Sequence, residues 1–221
     1  MKYIVVDLEM NPVDRSLREV RKNLREEVIE FGAVRLDAHF AQESTFRQYV
    51  QPEYGKIKRH ITELTSITQE MVDGQPVYAP SFQRFVDWIG DEEVKIYSWS
   101  MSDIKQLRVE CRYKMPDFNT AWLDERWVDL QQKFDDRLGL HNNLALKYAL
   151  GAMNHDFEGR QHTALDDAIN TSSILVLMQD DAEFRRVMQP VLEILEPKEE
   201  LSDSIGDLCP DLMKLKAQLE S

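Results

Sequence analysis

The chain is poor in cysteine, glycine, proline and positive charge. Its two cysteines, Cys111 and Cys209, lie far apart among 221 residues and make no Cys-x-x-Cys pair. That excludes a disulfide scaffold and leaves no footing for a structural zinc site, so each reads as a small buried apolar residue. Eight glycines and eight prolines, with no low-complexity tract, exclude a collagenous or linker-like chain. No apolar run reaches the ~20 residues of a membrane span. The N-terminus enters a strand-like segment without a signal-peptide pattern. A reduced, cytoplasmic setting with no membrane is the expectation. Positive charge is also short: 27 Lys and Arg stand against 40 Asp and Glu, a net charge of −13. This excludes a broad basic face that grips nucleic acid, although a local site can oppose the global sign.

What is present fits one globular domain with an appendage, since 221 residues that are 43% hydrophobic can bury a sizeable core. Residues 2–9, 28–36 and 45–51 read as strands, the first a β-branched run. The charged stretch 12–26 between the first two reads as a loop or short exposed helix. Ser81 is a predicted N-cap, with Phe82, Phe85, Val86 and Ile89 on one face and Gly90 as the stop. A strand over 94–99 follows, then a helix capped by Ser102 that buries Ile104, Leu107 and Cys111. A short strand is expected at Trp127-Val128-Asp129, and a helix over 144–151 capped by Asn143. A long helix starts at Thr163 with Ala164, Ala168, Leu175 and Met178 inward. Alternating strands and helices predict a mixed α/β domain over 1–180. Asp180-Asp181, Pro190 and Pro197 mark a helical extension over 181–221, with helices near 182–195 and 210–220, the last carrying Leu212, Leu215 and Leu219.

Asp7 and Glu9 follow Ile4-Val5-Val6 and lie two apart, so on a strand both point to one face. Two like charges closing a buried strand repel unless a cation sits between them, and hard carboxylate oxygens suit Mg²⁺ or Mn²⁺. The alternative is a solvated strand end. Asp103 opens a helix just after a strand, where the helix dipole also favours an ordinary acid. His162 and Asp167 would be about 140° apart on one helix. With Thr163 as N-cap, His162 lies in the preceding loop and the two side chains can converge. Asp166, at the third helical position, supports the cap.

Together these residues have a recognisable order: Asp7-x-Glu9 on the first strand, Asp103 at a mid-chain strand-to-helix junction, then His162-x-x-x-x-Asp167 leading into a late helix. This resembles the DEDDh exonucleases, the His-bearing branch of the DnaQ-like 3′→5′ exonucleases with an RNase H-like core. Val28-Ile-Glu-Phe-Gly-Ala-Val34 resembles the family's second strand. Ile61-Thr-Glu-Leu-Thr-Ser-Ile-Thr68 resembles its terminal-nucleotide segment, and His162-Thr-Ala-Leu-Asp-Asp-Ala168 its third motif. The similarity covers about residues 2–180 and lies nearest the RNA-directed subgroup of KapD-like and Eri-1-like proteins. Many members have Thr where this chain has Met10, and Asn where it has Trp99.

The resemblance implies an RNase H-like mixed sheet flanked by helices. It implies two divalent ions, Mg²⁺ or Mn²⁺, held by Asp7, Glu9, Asp103 and Asp167. Asp7 would bind both, Glu9 and Asp167 the one that activates water, and Asp103 the other, often through water. Glu9 would also contact the terminal 3′-hydroxyl, and His162 would be the general base. Leu8, Met10, Leu64, Thr65 and Trp99 are the candidate substrate contacts. Core packing is the other reading for Leu64 and Trp99, and a helix cap for Thr65. Lys56, Lys58, Arg59 and His60, like the Arg-rich 15–25 stretch, would meet phosphates or form a solvated loop. The expected activity is 3′→5′ hydrolysis of single-stranded RNA or short oligonucleotides to nucleoside 5′-monophosphates. A DNA-directed exonuclease, and a non-catalytic nucleic-acid-binding scaffold, are the competing readings. A protein partner or a homodimer through the C-terminal helices is a further expectation.

Overall fold

The computed structural model describes residues 1–141 and 143–195. The expected helix over 210–220, Cys209 and the Pro197 boundary lie outside the described residues. In chain order the elements are β1 (Lys2–Pro12), α1 (Arg18–Arg21), β2 (Glu26–Leu36), β3 (Gln42–Tyr49), α2 (Arg59–Thr65), α3 (Gln69–Val72), α4 (Tyr78–Ile89), β4 (Val94–Ser98), α5 (Ser102–Lys114), α6 (Ala121–Arg126), β5 (Trp127–Asp129), α7 (Leu130–Leu138), α8 (Leu146–Ala152), α9 (Ala164–Leu177) and α10 (Asp181–Leu195). They fall into two compact units. The first holds Met1–Asp129 and Phe157–Ser173; the second holds Leu130–Asp156 and the described residues from Ile174 onward. In the second unit Phe134 and Phe184 meet edge to face, and Arg137 sits over the Phe184 ring.

The first unit carries a five-stranded sheet in the order β3-β2-β1-β4-β5. β1 pairs antiparallel with β2 and parallel with β4, so the sheet changes sense at its central strand. Being central, β1 is buried on both sides, which is why Ile4-Val5-Val6 is an unbroken apolar run. Ile4, Val6 and Leu8 face a core completed by Phe31 and Ala33 of β2, by Tyr78, Phe82, Phe85 and Ile89 of α4, and by Ile104, Leu107 and Cys111 of α5. The opposite face carries Asp7 and Glu9, and there α9 begins directly above Gly32 of β2. The result is the RNase H-like mixed sheet flanked by helices that the motif order implied, and α10 matches the helix expected near 182–195.

Local differences have local causes. α4 begins at Tyr78, not after Ser81. Pro80 is tolerated in a first turn, where its missing N–H costs little, and Ser81 is buried with its hydroxyl donating to the Pro76 carbonyl at 3.2 Å. Ser102 is the first residue of α5 and Met101 occupies the cap position. α8 starts after Ala145 rather than at Asn143 and runs through Gly151 to Ala152. The 12–26 stretch contains α1, one exposed helical turn.

Candidate active site

The site is built where β1 outruns its parallel neighbour. The β1–β4 ladder covers Lys2 to Val5 and then stops. Asp7 and Glu9 continue along β2 alone, paired with Gly32 and Glu30. This is the crevice beyond the carboxyl ends of parallel strands, at the point where the sheet switches sense. The chain leaving β4 turns into α5, whose first turn presents Asp103. Its Oδ1 accepts the Leu8 N–H at 3.1 Å, which ties the helix start to β1 beside Asp7.

The other wall is the loop before α9. Its backbone donates at alternate residues to three side chains of that helix. Glu158 N–H reaches Asn170 Oδ1 at 2.9 Å, Arg160 N–H reaches Asp166 Oδ2 at 2.9 Å, and His162 N–H reaches Asp167 Oδ2 at 3.0 Å. Asp166 therefore holds the loop, one step further from the helix than the cap role expected of it. His162 takes a left-handed backbone (φ 62°) just before the helix and is exposed at the rim. Glu9, His162 and Asp167 each offer a ligand atom within 4.8 Å of the other two.

The carboxylates repel one another in a poorly hydrated cleft. Desolvation, then the charges of Asp103, Asp167, Glu9 and Glu30, hold Asp7 well above the usual carboxylate range. Burial, with Asp167, Glu30 and Asp103 adding to it, pushes Glu9 up to about 8. Burial also raises Asp103 to about 7, against the opposing pull of backbone N–H groups at its own residue and Leu8. Asp167 rises to about 7 for the same first reason, with the His162 N–H opposing. A cluster of hard oxygen donors that cannot all ionise unaided fits divalent cations.

The softer candidates are scattered in role. Leu64 is 47% exposed on α2, Met10 is half-buried, and Leu8 and Trp99 are buried. Thr65 is buried, its hydroxyl donating to Ile61 O at 2.9 Å and accepting from the Ile67 N–H at 3.0 Å, which closes the α2 turn. Lys58 pairs with Asp14 at 2.9 Å and Arg59 with Glu63 at 2.7 Å. Two residues escaped sequence reasoning. Asn11 is fully buried, accepting the Lys58 N–H at 2.9 Å and donating to Lys56 O at 3.2 Å, so it pins the approach to α2 against the end of β1. Glu30 is a fifth carboxylate beside the four, and it is fully buried. The available signal was an acid inside the apolar run Val28–Val34, with a mid-strand glycine two residues on.

A family model described as Exonuclease (RNase T) matches residues 4–175. The chain belongs to this exonuclease family. Membership implies divalent metal ions, in keeping with the donor set. Among relatives, 3'-5' exoribonuclease 1 of Rattus norvegicus is 30% identical over 72% of this chain and 49% of its own length. ERI1 exoribonuclease 3 of Homo sapiens is 28% identical over 68% of this chain and 47% of its own. The chain thus spans about half the length of these curated relatives. The nuclease domain of 3'hExo, a DEDDh family member bound to rAMP, superposes with a TM-score of 0.67 at 27% identity, covering 82% of this chain and 94% of that domain. Among the described residues no helix is long and apolar enough to cross a membrane.

Proposed function

We propose that this chain is a divalent-metal-dependent 3′→5′ exonuclease. Its substrate would be single-stranded RNA or a short oligonucleotide, and its products nucleoside 5′-monophosphates. The observation that carries this reading is the convergence of Asp7, Glu9, Asp103 and Asp167 with one imidazole, His162, at the switch point of the sheet. Relatives named exoribonucleases favour RNA over DNA.

Asp7, Glu9, Asp103 and Asp167 would hold two ions, Mg²⁺ or Mn²⁺, which when bound supply Lewis-acid stabilisation of the oxygens that attack and leave phosphorus. His162 takes the proton from the attacking water. His162 is exposed, so it can reach the solvent that enters the cleft, and Glu9 and Asp167 each offer an oxygen within 4.8 Å of one of its ring nitrogens. Glu9 accepts a hydrogen bond from the terminal 3′-hydroxyl, which selects a free end. Leu64, Met10, Leu8 and Trp99 are assigned to the last base, and Thr65, bonded within its own turn, fixes the end of α2 that carries Leu64.

The molecule works in the cytoplasm on this reading, and its 181–221 segment meets a protein partner or a second copy. Equal-sequence RNA and DNA oligomers test the substrate class, since the 2′-hydroxyl is the handle for that choice. Faster release from RNA supports the assignment. Preference for DNA transfers it to end trimming or proofreading, and metal-independent binding without release makes the chain a scaffold.

A further inference from the structure

Glu30 is fully buried, and none of the chemistry above uses it. A buried carboxylate is costly unless its oxygens are satisfied. Both are. Oε1 accepts from Arg47 Nε at 2.6 Å, and Oε2 accepts the Ala164 N–H at 3.2 Å. With both oxygens occupied inside the protein, Glu30 is not placed as a metal ligand.

The two partners are unequal. Arg47 is 41% exposed and could be solvated without a buried mate. Ala164 is fully buried and is the first residue of α9. The leading N–H groups of a helix have no acceptor within it, so the Ala164 N–H needs one from elsewhere, and Glu30 supplies it. A second observation marks the same contact. A Cβ on Gly32, two residues along β2, would stand 2.1 Å from Ala164 C and 2.2 Å from Leu165 N. The start of α9 is thus seated on bare strand backbone, and Glu30 is bonded to it beside that seat. Gly32 pairs with Asp7 and Glu30 with Glu9, so the seat lies across from the two carboxylates of β1.

We propose that Glu30 is a positioning residue: its carboxylate seats the first turn of α9 on β2 and thereby fixes where His162 and Asp167 stand over Asp7 and Glu9. Arg47 holds the other oxygen and turns the carboxylate toward the helix. The catalytic half of this assignment rests on the exonuclease reading above; the positional half does not.

Two conservative variants separate acceptor geometry from charge. Glu30→Gln keeps a carbonyl oxygen at the same reach and loses the charge, while Arg47 can turn to solvent. Glu30→Asp keeps the charge and withdraws the oxygens by about 1.5 Å, one carbon–carbon bond. Amide exchange in the metal-free protein reads the seat directly. Exchange across residues 162–167 should rise about tenfold in Glu30→Asp and stay within about twofold in Glu30→Gln. On single-stranded RNA, kcat should fall about a hundredfold in Glu30→Asp with KM nearly unchanged, and Glu30→Gln should recover it to within about threefold. Native exchange in Glu30→Asp, or equal loosening in both variants, overturns the seat. A loosened seat with native kcat overturns the catalytic half. If the unmodified protein releases no nucleotide, the exonuclease reading fails, while the exchange comparison still decides the seat.

Discussion

His162 and Asp7 make opposite predictions. A general base contributes about 10²–10⁴-fold. Single-turnover hydrolysis by His162→Ala should therefore fall by that order while Mn²⁺ and single-strand binding persist. Unchanged turnover would remove His162 from the chemistry. Asp7→Ala should lose Mn²⁺ binding as well, and a normal Mn²⁺ titration in that variant would contradict its place in the donor set. That Asp7 and Glu9 share one face of β1 was legible from period-two spacing, because a strand decides which side chains share a face; their place in a donor set came only from the order of the motifs along the chain. His162 and Asp167 needed only the inference that a helix starts between them. Glu30 and Asn11 were not legible, because their meaning lies in partners far along the chain: Ala164 is 134 residues from Glu30, and Lys58 is 47 from Asn11.

Elements are held in register by a few contacts that a single substitution can break. Gly32→Ala would drive a methyl group into the backbone of α9. Overpacking of this kind costs about 1–3 kcal/mol, so a chemical melt should show a loss of at least that size. Native stability would mean that α9 sits higher than described. On the other face, Lys114 Nζ lies 2.8 Å from Glu27, 2.8 Å from Glu110 and 2.9 Å from Glu53, joining α5 to β2. Glu110 also accepts the Val28 N–H at 2.9 Å, and burial pushes it up to about 7 despite the lysine. Removing one partner from a buried ion cluster typically costs about 3–5 kcal/mol; Lys114→Met should show a loss in that range by denaturant unfolding, and a loss under about 1 kcal/mol would contradict it. Apolar periodicity found β4, β5 and the inward faces of α4 and α5. Helix starts were read less well. Ser81 looks like a cap, yet Tyr78 belongs to the same buried stripe as Phe82 and Phe85, and burying it draws the helix back past Pro80.

At the scale of the whole molecule, acidity and metal dependence are one subject. The four clustered acids bind protons in the fold more tightly than in the unfolded chain, where carboxyls titrate near 4. Between about pH 4 and pH 8 the folded state therefore holds protons that the unfolded state has released, and their contribution to stability is lost as pH rises. The melting temperature of the metal-free protein should fall from about pH 5 to pH 8, and Mn²⁺ should restore most at the alkaline end, since its ligands must be deprotonated. A melting temperature that climbs across that window would contradict the repulsive cluster. The net charge of −13 argues against a long surface that tracks phosphates. Binding of short single strands should accordingly follow divalent metal more than monovalent salt, and a steep salt slope would instead report many phosphate contacts.

The most direct test of the central claim is the product pattern from a 5′-labelled single-stranded RNA, with Mg²⁺ or Mn²⁺ and with chelator. Stepwise shortening from the 3′ end is expected, with release of nucleoside 5′-monophosphates that chelator, a blocked 3′-hydroxyl and Asp7→Ala each abolish. Internal cleavage, release that survives chelation, or no release with either metal would contradict it.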